Sequence, residues 1–247
     1  MGAVLFDIGS TLVQGPDISP AKMIARLLGL ADSEKGRVAD IIMCRAFNDS
    51  KALCGHLRLG FDTDPFPEDR VRAVWGEQES APREIPGATS AVSHVKKAGF
   101  KVGLVSDIWE PYFRGFLAAC PELASMVDFE GLSFREGCRK PSAKLFERAV
   151  SALGVIPKDT WMVGDTYEND LAPAIRLGMR TIWVLSRPEK EYRAMEGVLK
   201  KRLPRPDIII DSVADLVKFD LRDTAPGSES RIQNPDTWSA KSSHQGE

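Results

Sequence analysis

The fold of this chain is decided by the sequence WMVGDTYENDLAPAIRLGMRTIWVL, residues 161–185. Two short apolar runs, 161–164 and 181–185, enclose a segment with a helical pattern over residues 169–177, which stops at Gly178. Glycine often follows the last turn of a helix, because it adopts the left-handed conformation without strain. A strand, a helix and a second strand in this order predict two parallel strands joined by a helical crossover.

The same alternation continues through most of the chain. Further apolar runs bounded by turns are candidate strands, at residues 3–7, 101–106, 127–132 and 207–210. These runs are continuously apolar, which is typical of strands in a sheet that is covered on both faces. The sequence therefore predicts an α/β fold, a parallel sheet with helices on both faces. One of these helices is predicted to open with Pro141 and to end at Gly154.

About 70 residues between the first strand and a helix at 88–98 contain no strand-like run. Apolar residues recur there at helical spacing, in three groups: Met23, Ile24, Leu27 and Leu28; Val38, Ile41 and Ile42; Val71, Val74 and Trp75. This pattern predicts an inserted module of helices with one buried face. Pro16 and Pro20 precede the module and Pro82 and Pro86 follow it, and such stiff connections would allow it to move as a unit.

These boundaries divide the chain into three predicted parts. They are an α/β core at residues 1–14 and 84–221, a helical insertion at 15–83, and a polar tail at 222–247. Ile232 and Trp238 are the only large apolar side chains of the tail, so it is expected to be mobile.

Composition restricts the classes of function. The chain has 33 Lys and Arg against 35 Asp and Glu, a formal net charge of −2, so no overall positive field favours nucleic acid or a membrane surface as a partner. No apolar run approaches the ~20 residues that cross a bilayer, and residues 1–8 do not resemble a secretion signal. We therefore expect a cytoplasmic protein, with its four widely spaced cysteines reduced. The oligomeric state is not indicated.

Carboxylates follow two of the candidate strands. Asp7 ends the first strand, and Asp165 and Asp170 lie in GDTYEND, residues 164–170, between a strand and a helix. Open parallel sheets bind ligands at the carboxyl ends of their strands, where these side chains would converge. Crowded carboxylates repel one another, and a hard divalent cation is the usual remedy. The alternative is a structural role, in which Asp7 and Asp165 are turn residues and Asp170 is a helix N-cap.

A hydroxyl and a basic side chain occupy two other ends of predicted elements. Ser106 ends the strand that contains LVS, and Lys140 precedes a predicted helix. A hydroxyl, an ammonium and the free backbone N–H groups of a helix start are groups that bind phosphoryl oxygens. Each also has an ordinary interpretation, because lysine is commonly a solvated charge and serine is common in turns.

Together and in this order, the four elements resemble the motifs of the haloacid dehalogenase (HAD) superfamily of hydrolases and phosphatases. The similar segments are FDIGSTL at 6–12, IPGATSAVSHVKKAGFKVGLVSD at 85–107, RKPSAKLF at 139–146 and MVGDTYENDLAPAIRLGMRTIWV at 162–184, the last being the most specific. The resemblance covers roughly residues 1–215. It implies an α/β core of Rossmann-like topology and a helical cap inserted after the first motif.

The resemblance also implies a magnesium-dependent phosphohydrolase that acts on a small phosphorylated molecule through an aspartyl-phosphate. The implied catalytic residues are the nucleophile Asp7, Ser106 and Lys140. The implied magnesium ligands are Asp7, the carbonyl of Gly9, Asp165 and the supporting Asp170. The implied phosphate- and substrate-binding residues are Ser10, Thr11, Ser106, Asp107 and Lys140. Phosphoryl transfer requires charge neutralisation and alignment more than covalent machinery, and such groups supply both.

Gly9 departs from the pattern of the superfamily's phosphatases, which carry a second aspartate at this position. That aspartate would protonate the leaving alcohol and then activate water, a contribution of roughly 10²–10⁴-fold for a placed acid or base. Glycine does neither, and the hydroxyl of the neighbouring Ser10 is a poor proton donor at neutral pH. We therefore expect weak turnover of alkyl phosphates and better turnover of acyl or aryl phosphates, which have good leaving groups.

Three alternatives stay open. One is carbon–halogen or carbon–phosphorus chemistry on the same fold, although dehalogenases place an aromatic residue at the position of Gly9 and the surroundings of Lys51 do not match the imine-forming lysine of phosphonatases. Another is a catalytically impaired binding or interaction protein, with the tail or cap as contact surface. A third is ATP binding, because FDIGST also resembles the first phosphate loop of the actin and sugar-kinase fold, which joins two antiparallel strands.

The substrate is not readable from the sequence, because its specificity would come from side chains of the insertion. Candidates by charge and location alone are Arg45, Lys51, His56 and Arg58.

Overall fold

The computed structural model describes residues 2–222, so the tail predicted at 222–247 lies outside the described residues apart from Arg222. Eight strands occur in the described part: β1 Ala3–Phe6, β2 Val13–Gln14, β3 Arg83–Glu84, β4 Lys101–Ser106, β5 Phe129–Leu132, β6 Thr160–Gly164, β7 Arg180–Val184 and β8 Ile208–Ile210. Six of them form one parallel sheet in the order β5-β4-β1-β6-β7-β8. The predicted α/β fold is confirmed, and all six candidate strands are present.

Eleven α-helices occur within residues 2–222. They are α1 Pro20–Leu27, α2 Lys35–Met43, α3 Ser50–Gly60, α4 Glu68–Ser80, α5 Ala88–Lys97, α6 Glu110–Ala119, α7 Pro121–Ser125, α8 Ser133–Glu136, α9 Ala143–Leu153, α10 Ala172–Arg176 and α11 Tyr192–Leu199. The first four lie between β2 and β3, in the predicted insertion, and the others follow β3.

Both faces of the sheet are buried, as its central strand β1 shows. Successive side chains of a strand point to opposite faces. Val4 and Phe6 belong to one hydrophobic cluster, which includes Val92 of α5, whereas Leu5 belongs to a second cluster, which includes Leu145 of α9. Because each face needs a layer of helices, the strand is apolar at every position, and this explains the continuous runs in the sequence.

Helices α1–α4 share a hydrophobic cluster of their own, which includes Ile24, Ile42 and Leu53. Trp109, which directly precedes α6, also belongs to this cluster. Its ring meets the ring of Trp75 edge-on, with the ring centroids 5.7 Å apart. The insertion is therefore helical and contacts the residues that follow β4, while its movement as a unit remains a prediction.

The insertion begins and ends at two short strands, so the prediction of a strandless segment was wrong at its two edges. Val13 of β2 pairs with Glu84 of β3, and Gln14 pairs with Arg83, in an antiparallel ladder. Two residues are too few to produce an apolar pattern in the sequence. The strand that carries Asp7 is β1, which pairs in parallel with β4 and β6. The ATP-binding loop between two antiparallel strands is therefore excluded.

The helix predicted to open with Pro141 begins two residues later, so this boundary was wrong. The Ser142 side chain accepts a hydrogen bond from the backbone N–H of Lys144 at 3.4 Å and is the N-cap of α9. The predicted end of this helix is correct, because Gly154 follows it with a φ of 61°.

The helix predicted over 169–177 is divided in two. A π-helical turn covers Tyr167–Leu171, and α10 continues from Ala172. Gly178 follows with a φ of 78°, as expected for a helix end. Single π turns are frequent at functional sites, and this one contains Asp170.

All four cysteines are free thiols, in agreement with the sequence-based expectation. Within residues 2–222, no helix combines the length and the apolar character that crossing a membrane requires.

Candidate active site

Asp7 lies directly after β1, where three distant stretches of the chain meet. Its backbone N–H donates to the carbonyl of Val163 at 2.9 Å, which extends the pairing between β1 and β6. Its Oδ1 accepts hydrogen bonds from Ser106 Oγ at 2.9 Å and from Lys140 Nζ at 2.7 Å. All three side chains are buried. The structure thus brings together the three residues predicted as catalytic, while their roles remain predictions.

The Lys140 ammonium is surrounded by acceptors. Its Nζ lies 2.7 Å from Asp7 Oδ1 and 2.6 Å from Asp170 Oδ1, and it also donates to the Val105 carbonyl at 3.2 Å. Asp107 Oδ1 accepts a hydrogen bond from the backbone N–H of Lys140 at 2.7 Å and holds this segment in place. Burial alone would lower the pKa of Lys140, but the nearby carboxylates outweigh burial and raise it, so the side chain stays charged.

Asp170 is held at both carboxylate oxygens. Oδ1 contacts Lys140 Nζ, and Oδ2 accepts the backbone N–H of Thr166 at 3.0 Å. Burial raises the pKa of Asp170 to about 7, against the attraction of Lys140 and with added repulsion from Asp7 and Asp165. Asp170 therefore holds the ammonium of Lys140 together with Asp7.

Asp165 is paired with Arg187, which follows β7. Arg187 Nε donates to Asp165 Oδ2 at 3.1 Å, and Nη2 contacts the same oxygen. Burial raises the pKa of Asp165 and the charge of Asp7 raises it further, while Arg187 opposes both effects. Asp165 Oδ1 is contacted by the Thr166 hydroxyl at 3.3 Å.

The carboxylates at this edge of the sheet suit a divalent cation. Asp7, Asp165 and Asp170 each offer an oxygen atom, and these atoms lie within 4.8 Å of one another. With Asp107 there are four buried or half-buried carboxylates against the two cations Lys140 and Arg187, so negative charge is in excess. Hard oxygen donors with excess negative charge are the set that magnesium prefers.

A cavity of about 400 Å³ lies beside these carboxylates. Its lining includes Gly9 and Ser10, which follow Asp7 closely in the sequence, and also Asp107 and Arg187, which contact Lys140 and Asp165. An added Cβ at Gly9 would meet no atom within 4 Å, so this position has space for a side chain. The cavity is of the size that holds a small molecule.

The other predicted binding residues differ in their positions. Ser10 lines the cavity and has a φ of 59°, the left-handed region that favours glycine. Thr11 is fully buried, and its Oγ1 has no hydrogen-bond partner within residues 2–222. The binding roles of both residues remain predictions.

The four residues of the insertion that were candidates for determining substrate specificity do not line this cavity. Lys51 is exposed on α3, and Arg58 pairs with Glu68. His56 lies against the ring of Phe47. Arg45 lines a second cavity, together with Asp40 and Arg139.

Three residues that the sequence analysis missed line the cavity: Gln78, Tyr112 and Arg187. Gln78 is buried, and its Oε1 accepts the indole N–H of Trp109 at 3.3 Å, while its Nε2 has no partner in the described part of the chain. Burial raises the pKa of Tyr112 to about 12, and Asp7 adds to this shift. The sequence could have identified Gln78, because this polar residue continues the helical spacing of Val71, Val74 and Trp75 on an otherwise apolar face.

Replacement of Gly164 by alanine is expected to disturb the site. The added Cβ would lie 2.5 Å from Cβ, Cγ and Oδ2 of Asp170, so that side chain must move. We expect a loss of about 1–3 kcal/mol in the free energy of unfolding, measured by urea denaturation. The control is Gly76→Ala in α4, where no atom lies within 4 Å and alanine is expected to add about 0.5–1 kcal/mol. Equal effects of the two substitutions would contradict this interpretation.

Comparisons with known proteins identify relatives of this chain. Residues 137–216, which contain Lys140, Asp165 and Asp170, match the HAD-hydrolase-like family. The glyceraldehyde 3-phosphate phosphatase of Pyrococcus furiosus is 35% identical over 106 residues, which are 41% of this chain and 42% of the relative. The matched region therefore spans less than half the length of that relative.

Solved structures share the fold over most of the chain. A HAD phosphatase from Thermococcus onnurineus has a TM-score of 0.55 at 23% identity, covering 88% of this chain and 97% of its own. A HAD family enzyme from Bacteroides thetaiotaomicron, in complex with magnesium and inorganic phosphate, has a TM-score of 0.56 at 15% identity, covering 74% and 94%. Residues 137–216 therefore resemble the HAD-hydrolase-like family in sequence, and the chain shares the fold of solved HAD structures over most of its length.

Proposed function

We propose that this protein is a magnesium-dependent phosphohydrolase that cleaves a small phosphorylated molecule through an aspartyl-phosphate on Asp7. The observation that carries the proposal is the contact of Asp7 Oδ1 with both Ser106 Oγ and Lys140 Nζ, beside two further carboxylates. The Pyrococcus relative, named for its action on glyceraldehyde 3-phosphate, supports a substrate of this class.

In the proposed reaction, the Asp7 carboxylate attacks phosphorus. A bond forms between an Asp7 oxygen and phosphorus as the bond from phosphorus to the leaving oxygen breaks. Water then attacks the aspartyl-phosphate, which restores the carboxylate and releases inorganic phosphate. Ser106 and Lys140, which both contact Asp7 Oδ1, would donate hydrogen bonds to the oxygens of the transferring group.

Asp7 and Asp165 would hold the magnesium ion with the carbonyl of Gly9. Asp170 would support them indirectly, because both of its oxygens are bound by Lys140 and Thr166. When bound, the ion neutralises charge on the phosphoryl oxygens.

Gly9 limits the substrates that this site turns over well. No carboxylate lies at this position to protonate the leaving oxygen, so an alkyl group would leave as a strongly basic alkoxide. Acyl and aryl groups leave as weaker bases. We therefore propose that substrates with such leaving groups are preferred.

Hydrolysis of a panel of acyl, aryl and alkyl phosphates, with and without magnesium, tests the proposal. We expect phosphate release that stops in EDTA, returns with magnesium and is slowest for the alkyl esters. Magnesium at 100-fold excess over its Kd should also stabilise the fold by about 2.7 kcal/mol, which raises Tm. Asp165→Asn, which removes one carboxylate of the cluster, should reduce this shift. If the wild type hydrolyses no ester and its Tm does not change with magnesium, a binding or interaction protein becomes the better interpretation.

A further inference from the structure

Arg187 and Gly9 line the same cavity. The Ser186 hydroxyl donates to the carbonyl of Ser10 at 2.9 Å, so the segment that carries Arg187 is fastened to the loop that carries Gly9. Arg187 is also tied to Asp165, whose carboxylate lies next to that of Asp7. The guanidinium is therefore fixed at Asp165, in the cavity that Gly9 also lines.

The Arg187 side chain keeps donors for a ligand. Its Nε and Nη2 contact Asp165, and its Nη1 has no partner within residues 2–222. The side chain is 36% exposed, so a molecule in the cavity can reach it. Of the described residues that line the cavity, Arg187 is the one with a positive charge. Lys140, by contrast, does not line the cavity, and its Nζ contacts Asp7, Asp170 and a backbone carbonyl.

We propose that the guanidinium of Arg187 binds the leaving oxygen of the substrate and stabilises its negative charge, in place of the proton that Gly9 cannot donate. This inference rests on the proposed function. The leaving oxygen takes the electron pair of its bond to phosphorus as the Asp7–phosphorus bond forms, departs as an anion beside Arg187, and takes its proton from solvent. Fixed positive charge at a developing oxyanion lowers the barrier without a proton transfer.

Other groups of the cavity are less suited to this role. Tyr112, with a pKa raised to about 12, is a weak acid at neutral pH. Asp107 accepts the backbone N–H of Lys140 at Oδ1, and as a carboxylate it would repel a leaving anion. Asp17 is an exposed carboxylate, whose negative charge cannot stabilise an anion. The substrate class that follows is a phosphate ester whose leaving oxygen carries negative charge readily, an aryl or acyl phosphate.

The dependence of rate on the leaving group tests this role. The substrates are dinitrophenyl, nitrophenyl and phenyl phosphate, whose leaving groups become more basic in that order, at saturating magnesium. In Arg187→Gln we expect kcat/KM to fall about 100-fold for phenyl phosphate and about fivefold or less for dinitrophenyl phosphate. Arg187→Lys keeps the positive charge, so its kcat/KM values should lie between those of Arg187→Gln and the wild type. Arg193→Gln, an exposed arginine on α11, is the matched control and should leave all three values unchanged.

A structural role of Arg187 through Asp165 would give a different result. It would lower kcat/KM by the same factor for all three substrates, and this uniform loss would overturn the inference. The inference would also be overturned if Asp107→Asn changed the dependence of kcat/KM on leaving-group basicity and Arg187→Gln did not. Absence of hydrolysis by the wild type would instead reject the proposed function, so the two failures are distinguishable. Circular dichroism of each variant confirms that it is folded.

Discussion

Asp7→Asn is expected to abolish hydrolysis of every phosphate ester, with kcat lower by a factor of about 10⁴ or more. The amide is not a nucleophile towards phosphorus, so the aspartyl-phosphate cannot form. Asparagine nevertheless has nearly the same shape, and its carbonyl can still accept the hydrogen bonds of Ser106 and Lys140. The variant should therefore fold, and its Tm without magnesium should equal or exceed that of the wild type, because one of three crowded carboxylates is removed.

Phosphate release and thermal unfolding of the same preparation measure both effects. Asp159→Asn is the control, an exposed aspartate that precedes β6 at the opposite end of the strand from Asp165. It should leave activity and Tm unchanged. Mass spectrometry of wild type quenched during turnover should find phosphate on Asp7. A folded Asp7→Asn variant that retains activity would show that another group is the nucleophile.

Gly9→Asp is expected to accelerate the hydrolysis of alkyl phosphates by about 10²–10⁴-fold in kcat/KM. A carboxyl group at this position can protonate the leaving alkoxide, the step that the wild type lacks. The substitution is sterically permitted, because an added Cβ at Gly9 meets no atom within 4 Å and the residue does not have a positive φ. For dinitrophenyl phosphate, whose leaving group needs no proton, the gain should be small.

Gly9→Asn is the matched control, with the same size and no proton to transfer. It should leave kcat/KM for alkyl phosphates near the wild-type value. Equal acceleration by both variants would show that the added side chain acts by position or solvent exclusion. If Gly9→Asp folds and binds magnesium but hydrolyses alkyl phosphates no faster than the wild type, then Gly9 is not the cause of the weak turnover of alkyl phosphates.

The sheet could be predicted from the sequence because its strands are covered on both faces. In β1, β4 and β6 almost every side chain is buried, so each strand is a continuous apolar run. The strands β2 and β3 could not be predicted in this way, because two residues carry no periodicity. The start of α9 was misplaced because both Pro141 and Ser142 are common at helix starts, and the hydrogen bond from Lys144 decides between them.

The acidic part of the candidate site could also be predicted, since Asp7, Asp165 and Asp170 follow the ends of parallel strands. Arg187 could not. It lies in the charged segment SRPEK after β7, which has the composition of any exposed loop. Its importance depends on two contacts between distant parts of the chain, Ser186 with Ser10 and Arg187 with Asp165. Such contacts leave no local pattern.

The ladder between β2 and β3 has an evolutionary consequence. Since Val13 pairs with Glu84 and Gln14 with Arg83, the polypeptide departs from the core and rejoins it at adjacent rungs. Doubling the length of a flexible connection costs only about 0.6 kcal/mol in closure entropy, so the junction itself tolerates a longer or shorter segment in place of residues 15–82, provided that the new segment also covers Trp109. Recombination at this junction would exchange the inserted helices, which contribute Met43 and Gln78 to the cavity, and leave Asp7, Asp165 and Asp170 in place. Under the proposed function, selectivity and chemistry can therefore diverge separately.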